Sequence, residues 1–304
     1  MTVKRKAYLA AIIYAFVIGL SFMFVKVTLT VASPIDTLAH RFTIALIGIV
    51  FWIVITQNKL KINKQDVAKI LPLALLYPIA FFTFQVLGLA RISSTEAGII
   101  QATIPIFTLV LASVLLREKA TREQLIFISL SVFGVIYMLF MNNGSASTGN
   151  LIGSGFILLS AGAASLYNVL ARKLTKQYSL LTLTYVMTLC GFVIFNGVAI
   201  GNHLIHGTLL QFFRPFVHVG FVIAILYLGI LSSLVTSFLS NYTLSILEAS
   251  NMSVFSNFAT LITILAGVIF LQETFHFYHL IGGIVIIIGV IGTNYFGHRR
   301  WHNE

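Results

Sequence analysis

Apolar residues run through this 304-residue chain in long blocks, and polar residues collect in the short gaps between them. A helix needs about 20 mostly apolar residues to cross the hydrocarbon core of a bilayer. Ten blocks reach that length: residues 7–31, 37–56, 70–90, 95–116, 122–141, 151–173, 180–201, 219–244, 251–271 and 279–297. The narrowest gap, Glu248-Ala249-Ser250-Asn251, divides the eighth block from the ninth. Thr121-Arg122-Glu123-Gln124 reads as a capping box that starts the fifth helix. Few gaps exceed a dozen residues, which leaves almost nothing for a soluble domain. The pattern predicts an all-α integral membrane protein of ten transmembrane helices.

Composition narrows the class. The chain is 58% hydrophobic and 9% charged, with a mean hydropathy of +0.98. Soluble domains carry about a quarter charged residues, and most of their surface must face water. A soluble enzyme, a nucleic-acid-binding domain and a disordered chain are therefore excluded. The formal charge of +11 would suggest nucleic acid in a soluble protein. Here basic residues hold loops against anionic lipid on the cytoplasmic side, and no nucleic-acid partner is expected.

The same residues predict orientation. With the N-terminus inside and the spans alternating, fifteen of the nineteen Lys and Arg fall inside: Lys4, Arg5, Lys6, Lys59, Lys61, Lys64, Lys69, Arg117, Lys119, Arg122, Arg172, Lys173, Lys176, Arg299 and Arg300. Lys26, Arg41, Arg91 and Arg214 fall at or near the outside. Both termini are then cytoplasmic, in the cytoplasmic membrane. The basic start and its long apolar run read as a retained first span, with no small-residue cleavage site behind it. The lone Cys190 can form no intrachain disulfide.

A shift of 155 residues lays spans three to five on spans eight to ten, while spans one and two match six and seven more weakly and at a different offset. Glu118 falls on Glu273, Leu125 on Leu280, and Gly134-Val135-Ile136 on Gly289-Val290-Ile291. The chain divides into a first repeat, 1–141, an outer linker, 142–150, and a second repeat, 151–304. Five spans is an odd number, so the two repeats sit in inverted topology. That is the plan of secondary transporters, with the substrate site at the repeat interface near the midplane.

These residues resemble a family. Gly19 to Lys26 (Gly-Leu-Ser-Phe-Met-Phe-Val-Lys), Ser33-Pro34 and Arg41 look like the opening of EamA-type members of the drug/metabolite transporter superfamily. Ser94-Thr95-Glu96-Ala97, Pro105 and Glu118 are similar to that family's fourth span and its end. Gly149-Asn150-Leu151 and Ser165 to Lys173 resemble the start of its second repeat. The chain departs at Ile18, where the family carries Trp, and at Thr260, opposite Pro105. The resemblance implies export of amino acids or related metabolites.

Polar side chains inside a bilayer cost free energy and turn toward other helices or a cavity. In the fourth span Gln101, Pro105, Thr108 and Ala112 recur at helical spacing. At +155 the ninth span answers with Ser256, Thr260, Thr263 and Gly267, with Ser253 and Asn257 beside them. Ser233, Thr236, Ser237, Ser240 and Asn241 make a stripe on the eighth span, matched in the third by Pro78 and Gln85. Small residues also serve simple helix packing, and Ser or Thr can bond its own backbone. Amides need more partners. Gln85, Gln101, Thr108, Asn168, Ser237, Ser240, Asn241, Ser256, Asn257 and Thr260 are the candidate cavity residues, with Tyr14 and Tyr167 behind them.

Lys26, Arg91 and Glu96 are the candidate rim charges, Arg91 and Glu96 close enough in sequence to pair. Glu118 and Glu273 read as structural acids near helix starts. His203-x-x-His206 and His276-x-x-His279 lack a companion ligand set, so no metal is expected. No cofactor motif, phosphate loop or catalytic constellation is present. The expected function is a secondary transporter whose partners are a small-molecule substrate and the lipid bilayer. A pore-like facilitator is the alternative from another class, and a membrane enzyme the third. Composition fits a monomer and a homodimer equally.

Overall fold

The structure is a computed structural model that describes residues 2–57, 60, 62–116, 122–142, 148–247 and 249–301. Lys59, Lys61, Arg117, Glu118, Lys119, Thr121, Glu248 and most of the 142–150 linker lie outside the described residues. So do the side chains of Ser253, Arg299 and Arg300.

Every described element is helical. The first repeat comprises α1 (Val3–Leu29), α2 (Pro34–Thr56), α3 (Lys64–Ala74), α4 (Phe81–Leu89), α5 (Ser94–Gln101), α6 (Ile104–Leu116) and α7 (Arg122–Asn142). The second comprises α8 (Thr148–Leu174), α9 (Leu180–His206), α10 (Leu209–Phe213), α11 (Val219–Leu226), α12 (Thr236–Ile246), α13 (Ala249–Phe270) and α14 (Phe277–Trp301). Among the described residues seven helical rods are long and apolar enough to cross a membrane, and two more apolar helices are shorter. Large apolar side chains stay exposed around the bundle, among them Phe51, Val114, Phe140 and Ile205. Water would penalise that surface, and lipid accommodates it.

Local chemistry starts and bends these helices. Ser33, Ser93 and Ser179 each stand before a first turn and accept a backbone N–H three residues on. Leu75–Ala80, between α3 and α4, is a kink: the backbone leaves helical geometry at Tyr77, just before Pro78, which has no N–H to donate. Tyr227–Val235, between α11 and α12, at nearly the equivalent place one repeat later, widens to π-helical turns without such a break. There the segment carries Ser232 and Ser233 instead of proline. Between α5 and α6 the helix breaks at Ala102–Thr103, just before Pro105.

Helix pairing obeys an exchange of repeats. α2 lies against α9, α7 against α14, and α5 against α13. α1 lies on α13 and α12, while α8 lies on α6 and α4, the corresponding helices of the other repeat. At one end of the bundle the 90–93 turn meets the 271–276 loop, where Glu273 reaches Ser94, and Asp36 meets His203.

Two threonines of α13 hold the centre. Thr260 donates to the Gly98 carbonyl on α5 at 2.9 Å, and Thr263 to the Gly19 carbonyl on α1 at 2.9 Å. The glycines make these approaches feasible. A Cβ at Gly19 would lie 2.6 Å from Ile262 Cβ and 2.7 Å from the Ala259 carbonyl oxygen.

Candidate functional site

Where α1, α5, α8 and α13 converge they leave a small cavity of about 30 Å³. Tyr14, Ile18 and Phe22 line it from α1, Gly98 and Gln101 from α5, and Ala164 and Asn168 from α8. Ser256, Ala259, Thr260 and Thr263 close it from α13, with Phe81 and Ile104 at its edges. Both repeats thus contribute polar groups to one space. Gln101 Nε2 donates to Ser160 Oγ at 3.1 Å, and that hydroxyl donates to the Phe81 carbonyl at 3.0 Å. The relay orients the Gln101 amide and ties α5 to α8 and α4.

Four candidates from the sequence, Gln101, Asn168, Ser256 and Thr260, therefore line one cavity. Its lining does not include the other six. Thr108 is buried and donates to the Ile104 carbonyl of its own helix at 2.9 Å. Asn241 lies between α8 and α9: its Oδ1 accepts from the Tyr167 hydroxyl at 2.8 Å, and its Nδ2 donates to Thr184 Oγ1 at 3.4 Å. Ser237 and Ser240 are buried on the same helix. Gln85 is buried with neither amide atom partnered, and Asn257 has an unpartnered Oδ1.

Of the rim charges, Lys26 is half-buried in the last turn of α1, with Glu273 and Glu96 as its electrostatic neighbours. Glu96 is buried and accepts from Ser154 Oγ at 3.2 Å. Arg91 donates to the Leu87 carbonyl at 2.9 Å, and its guanidinium lies 5.3 Å from the Phe156 ring centroid.

Three features escaped the sequence reading. The first is Glu273, whose carboxylate accepts the Ser94 N–H at 2.7 Å and the Thr95 N–H at 2.8 Å. A second-repeat loop thus caps the start of α5. Burial, the largest single influence, opposes ionisation here, and the backbone and hydroxyl donors of Ser94 and Thr95 together outweigh it, holding the carboxyl below its usual 4.5. The +155 repeat marked Glu273 as structural without showing what it touches. The second is a buried pair joining α2 to α9, in which His203 Nε2 donates to Asp36 Oδ1 at 3.0 Å. His203 was visible as an outer histidine, and nothing in the spacing named its partner.

The third is Arg41. The charge pattern groups it with the outer basic residues, yet it is 0% exposed inside the bundle. Its Nε donates to Ser233 Oγ at 2.6 Å, and Nη2 to the Ser232 carbonyl and hydroxyl at 3.2 and 2.8 Å. Its place two turns into α2, one turn after Thr37, was the available signal.

Helices of this length, an apolar exterior and a polar seam between two similarly paired halves define a multi-pass membrane protein of transporter type. The chain belongs to the EamA-like transporter family, whose model matches residues 5–140 and again 151–295. It is 52% identical over 291 residues to "Uncharacterized transporter YcxC" of Bacillus subtilis (strain 168), covering 96% of this chain and 93% of that relative. An "Uncharacterized transporter" of Archaeoglobus fulgidus is 27% identical over 273 residues, covering 90% and 92%. A solved structure titled "Crystal structure of protein" superposes with a TM-score of 0.65 at 14% identity, over 97% of this chain and 98% of that one. This last likeness concerns the fold alone.

Proposed function

We propose that this chain is a secondary transporter of the cytoplasmic membrane, with ten spans in two inverted five-helix repeats and both termini cytoplasmic. It exports a small polar or amphipathic metabolite, an amino acid or a related compound, by alternating access. The observation that carries this reading is the position of the cavity. It lies where α5 of one repeat meets α13 of the other, and Gln101 faces the same space as Ser256, its equivalent at +155. Repeat interfaces of this kind hold substrate in carriers, because rocking one half on the other exposes the seam to either side.

The cavity's size supports the same mechanism. About 30 Å³ accommodates water, whereas metabolite sites run to roughly 300–1,000 Å³. Substrate entry thus requires the helices around it to part. The Thr260–Gly98 and Thr263–Gly19 bonds are the contacts that must break or slide.

A comparison of metabolites released by cells with and without the protein would identify the cargo. In proteoliposomes, uptake of that labelled metabolite should then accelerate when unlabelled metabolite is present on the far side. Flux that never saturates would reveal a pore and overturn the carrier. The double change Gln101→Leu with Asn168→Leu removes two polar groups from the cavity wall. It should cut saturable flux about tenfold or more while the protein still inserts. Undiminished flux would remove this cavity from the pathway.

A further inference from the structure

A positive charge inside a membrane-spanning bundle is costly unless something neutralises it. Among the described residues Arg41 has no such partner. Its three hydrogen bonds go to neutral oxygens of Ser232 and Ser233, and its Nη1 has no acceptor at all. The carboxylate nearest in sequence, Asp36, is engaged by His203. Among the described residues no carboxylate pairs with Arg41. The guanidinium lies 3.8 Å from the centroid of the Phe82 ring, which attracts a cation without cancelling its charge.

Two other fully buried side chains, on the helices that carry Arg41 and Phe82, have no hydrogen-bond partner among the described residues. They are Thr37, through Oγ1, and Gln85, through both amide atoms. α2 and the α3–α4 rod are consecutive and antiparallel, and Arg41 meets Phe82 between them. Thr37 stands one turn before Arg41, and Gln85 about one turn after Phe82. Antiparallel helices displace both toward the same end. Thr37 and Gln85 thus lie on the same side of the Arg41–Phe82 contact, and add a hydroxyl and an amide to the free Arg41 N–H.

Tyr77 joins this region to the cavity. Its ring packs on Phe82 at 5.1 Å on one side and stacks on Tyr167 at 4.8 Å on the other. Tyr167 neighbours the cavity residue Asn168, and Tyr14 of the cavity has Tyr77 and Tyr167 as electrostatic neighbours.

We propose that Arg41 is the anion-receiving group of the transport site and that the cargo carries a carboxylate. This rests on the carrier reading above and names its substrate class. A carboxylate accepts several hydrogen bonds and is bound best by a guanidinium. Here it meets Nη1, with the Gln85 N–H and the Thr37 hydroxyl to complete its shell. The Gln85 Oε1 then remains to accept from an ammonium or hydroxyl group beside the carboxylate, as in an amino or hydroxy acid. The bonds to Ser232 and Ser233 hold the guanidinium in place across the two repeats.

The test is the melting temperature of the full chain in lipid nanodiscs. Sodium acetate, lactate and phosphate are each compared with sodium chloride at equal ionic strength, with acetamide and lactamide as neutral counterparts. Lactate or acetate should raise the melting temperature by roughly 5 °C near saturation, and the amides should not. Arg41→Gln should abolish the rise. Because Arg41 also anchors Ser232 and Ser233, its loss could prevent folding. Gln85→Met leaves that anchor intact and should lower the apparent affinity about tenfold, with ligand-free melting held or raised because an unpartnered buried amide is removed.

Carboxylates that do no more than their amides would overturn the proposal. So would a normal response in Gln85→Met together with Arg41→Gln, or in Gln85→Met alone if Arg41→Gln does not fold. A response confined to phosphate would make the site one for inorganic anions and overturn the organic cargo. Melting reads binding without transport, so a failed carrier and a failed anion site give different results.

Discussion

Glu273→Ala should lower the unfolding free energy of this protein by about 3 kcal/mol at neutral pH. The estimate follows from two charge-assisted hydrogen bonds at a helix start, discounted because the carboxylate is only half-buried. Without it, the Ser94 and Thr95 N–H groups lose their acceptor, and the α13–α14 loop loses its tie to α5. The fit is close. A Cβ at Gly267 would come within 2.6 Å of Glu273 Oε2 and 2.7 Å of the Ser94 and Thr95 hydroxyls. The wild-type advantage should also depend on pH. The folded-state carboxyl titrates below its usual 4.5, so its stabilisation is complete above that value. It fades as pH falls through the lower folded value. Melting of both proteins across acid and neutral pH checks this, and parallel curves at every pH would refute the cap.

The second large effect belongs to Gly19. Gly19→Ala should cost about 2–4 kcal/mol, because the new methyl group meets Ile262 Cβ and a backbone carbonyl that cannot move aside. Pushing α1 off α13 also lengthens the Thr263 bond to the Gly19 carbonyl. Both helices line the cavity, so flux should fall with stability. Gly155→Ala is the matched control. Nothing lies within 4 Å of a Cβ there, and alanine is the better helix former. Its melting temperature should hold or rise slightly. Equal effects at the two glycines would show that α1 and α13 are not closely packed at this point.

Some of the site could be read from the chain alone because it follows a period. Gln101, Ser256 and Thr260 recur at helical spacing and at the 155-residue offset, and they share the cavity wall. Asn168 joins them as a lone amide in an apolar helix. The stripe on α12 has the same periodicity, yet its Asn241 is engaged by Tyr167 and Thr184. Periodicity says which face a side chain shares, and not which neighbour that face meets. Thr108 makes the point again, since a hydroxyl in a helix can turn to its own backbone.

The charged residues were the harder part, because charge is counted along a chain but neutralised in space. Arg41 counts as one of four basic residues near one end; its place two turns into α2 hints at burial, and nothing in the pattern names the serine-bearing π-helical turn 191 residues away that receives it. Asp36 and His203 are 167 residues apart and form one pair. Glu273 stood out by its repeat equivalence, while its partners are backbone groups that no side-chain pattern announces.

Sequence by itself determined the solvent of this protein and its helical character. Apolar length and the scarcity of charge admit only a bilayer, and in a bilayer the backbone must bond within its own helices. It also determined the doubling of the unit, since spans three to five recur in spans eight to ten at one offset. Tertiary structure alone decided which polar groups meet, because that depends on helix register and close approach at a few glycines. It also decided that a buried arginine would have no counter-charge among the described residues, since only packing brings opposite charges together or keeps them apart.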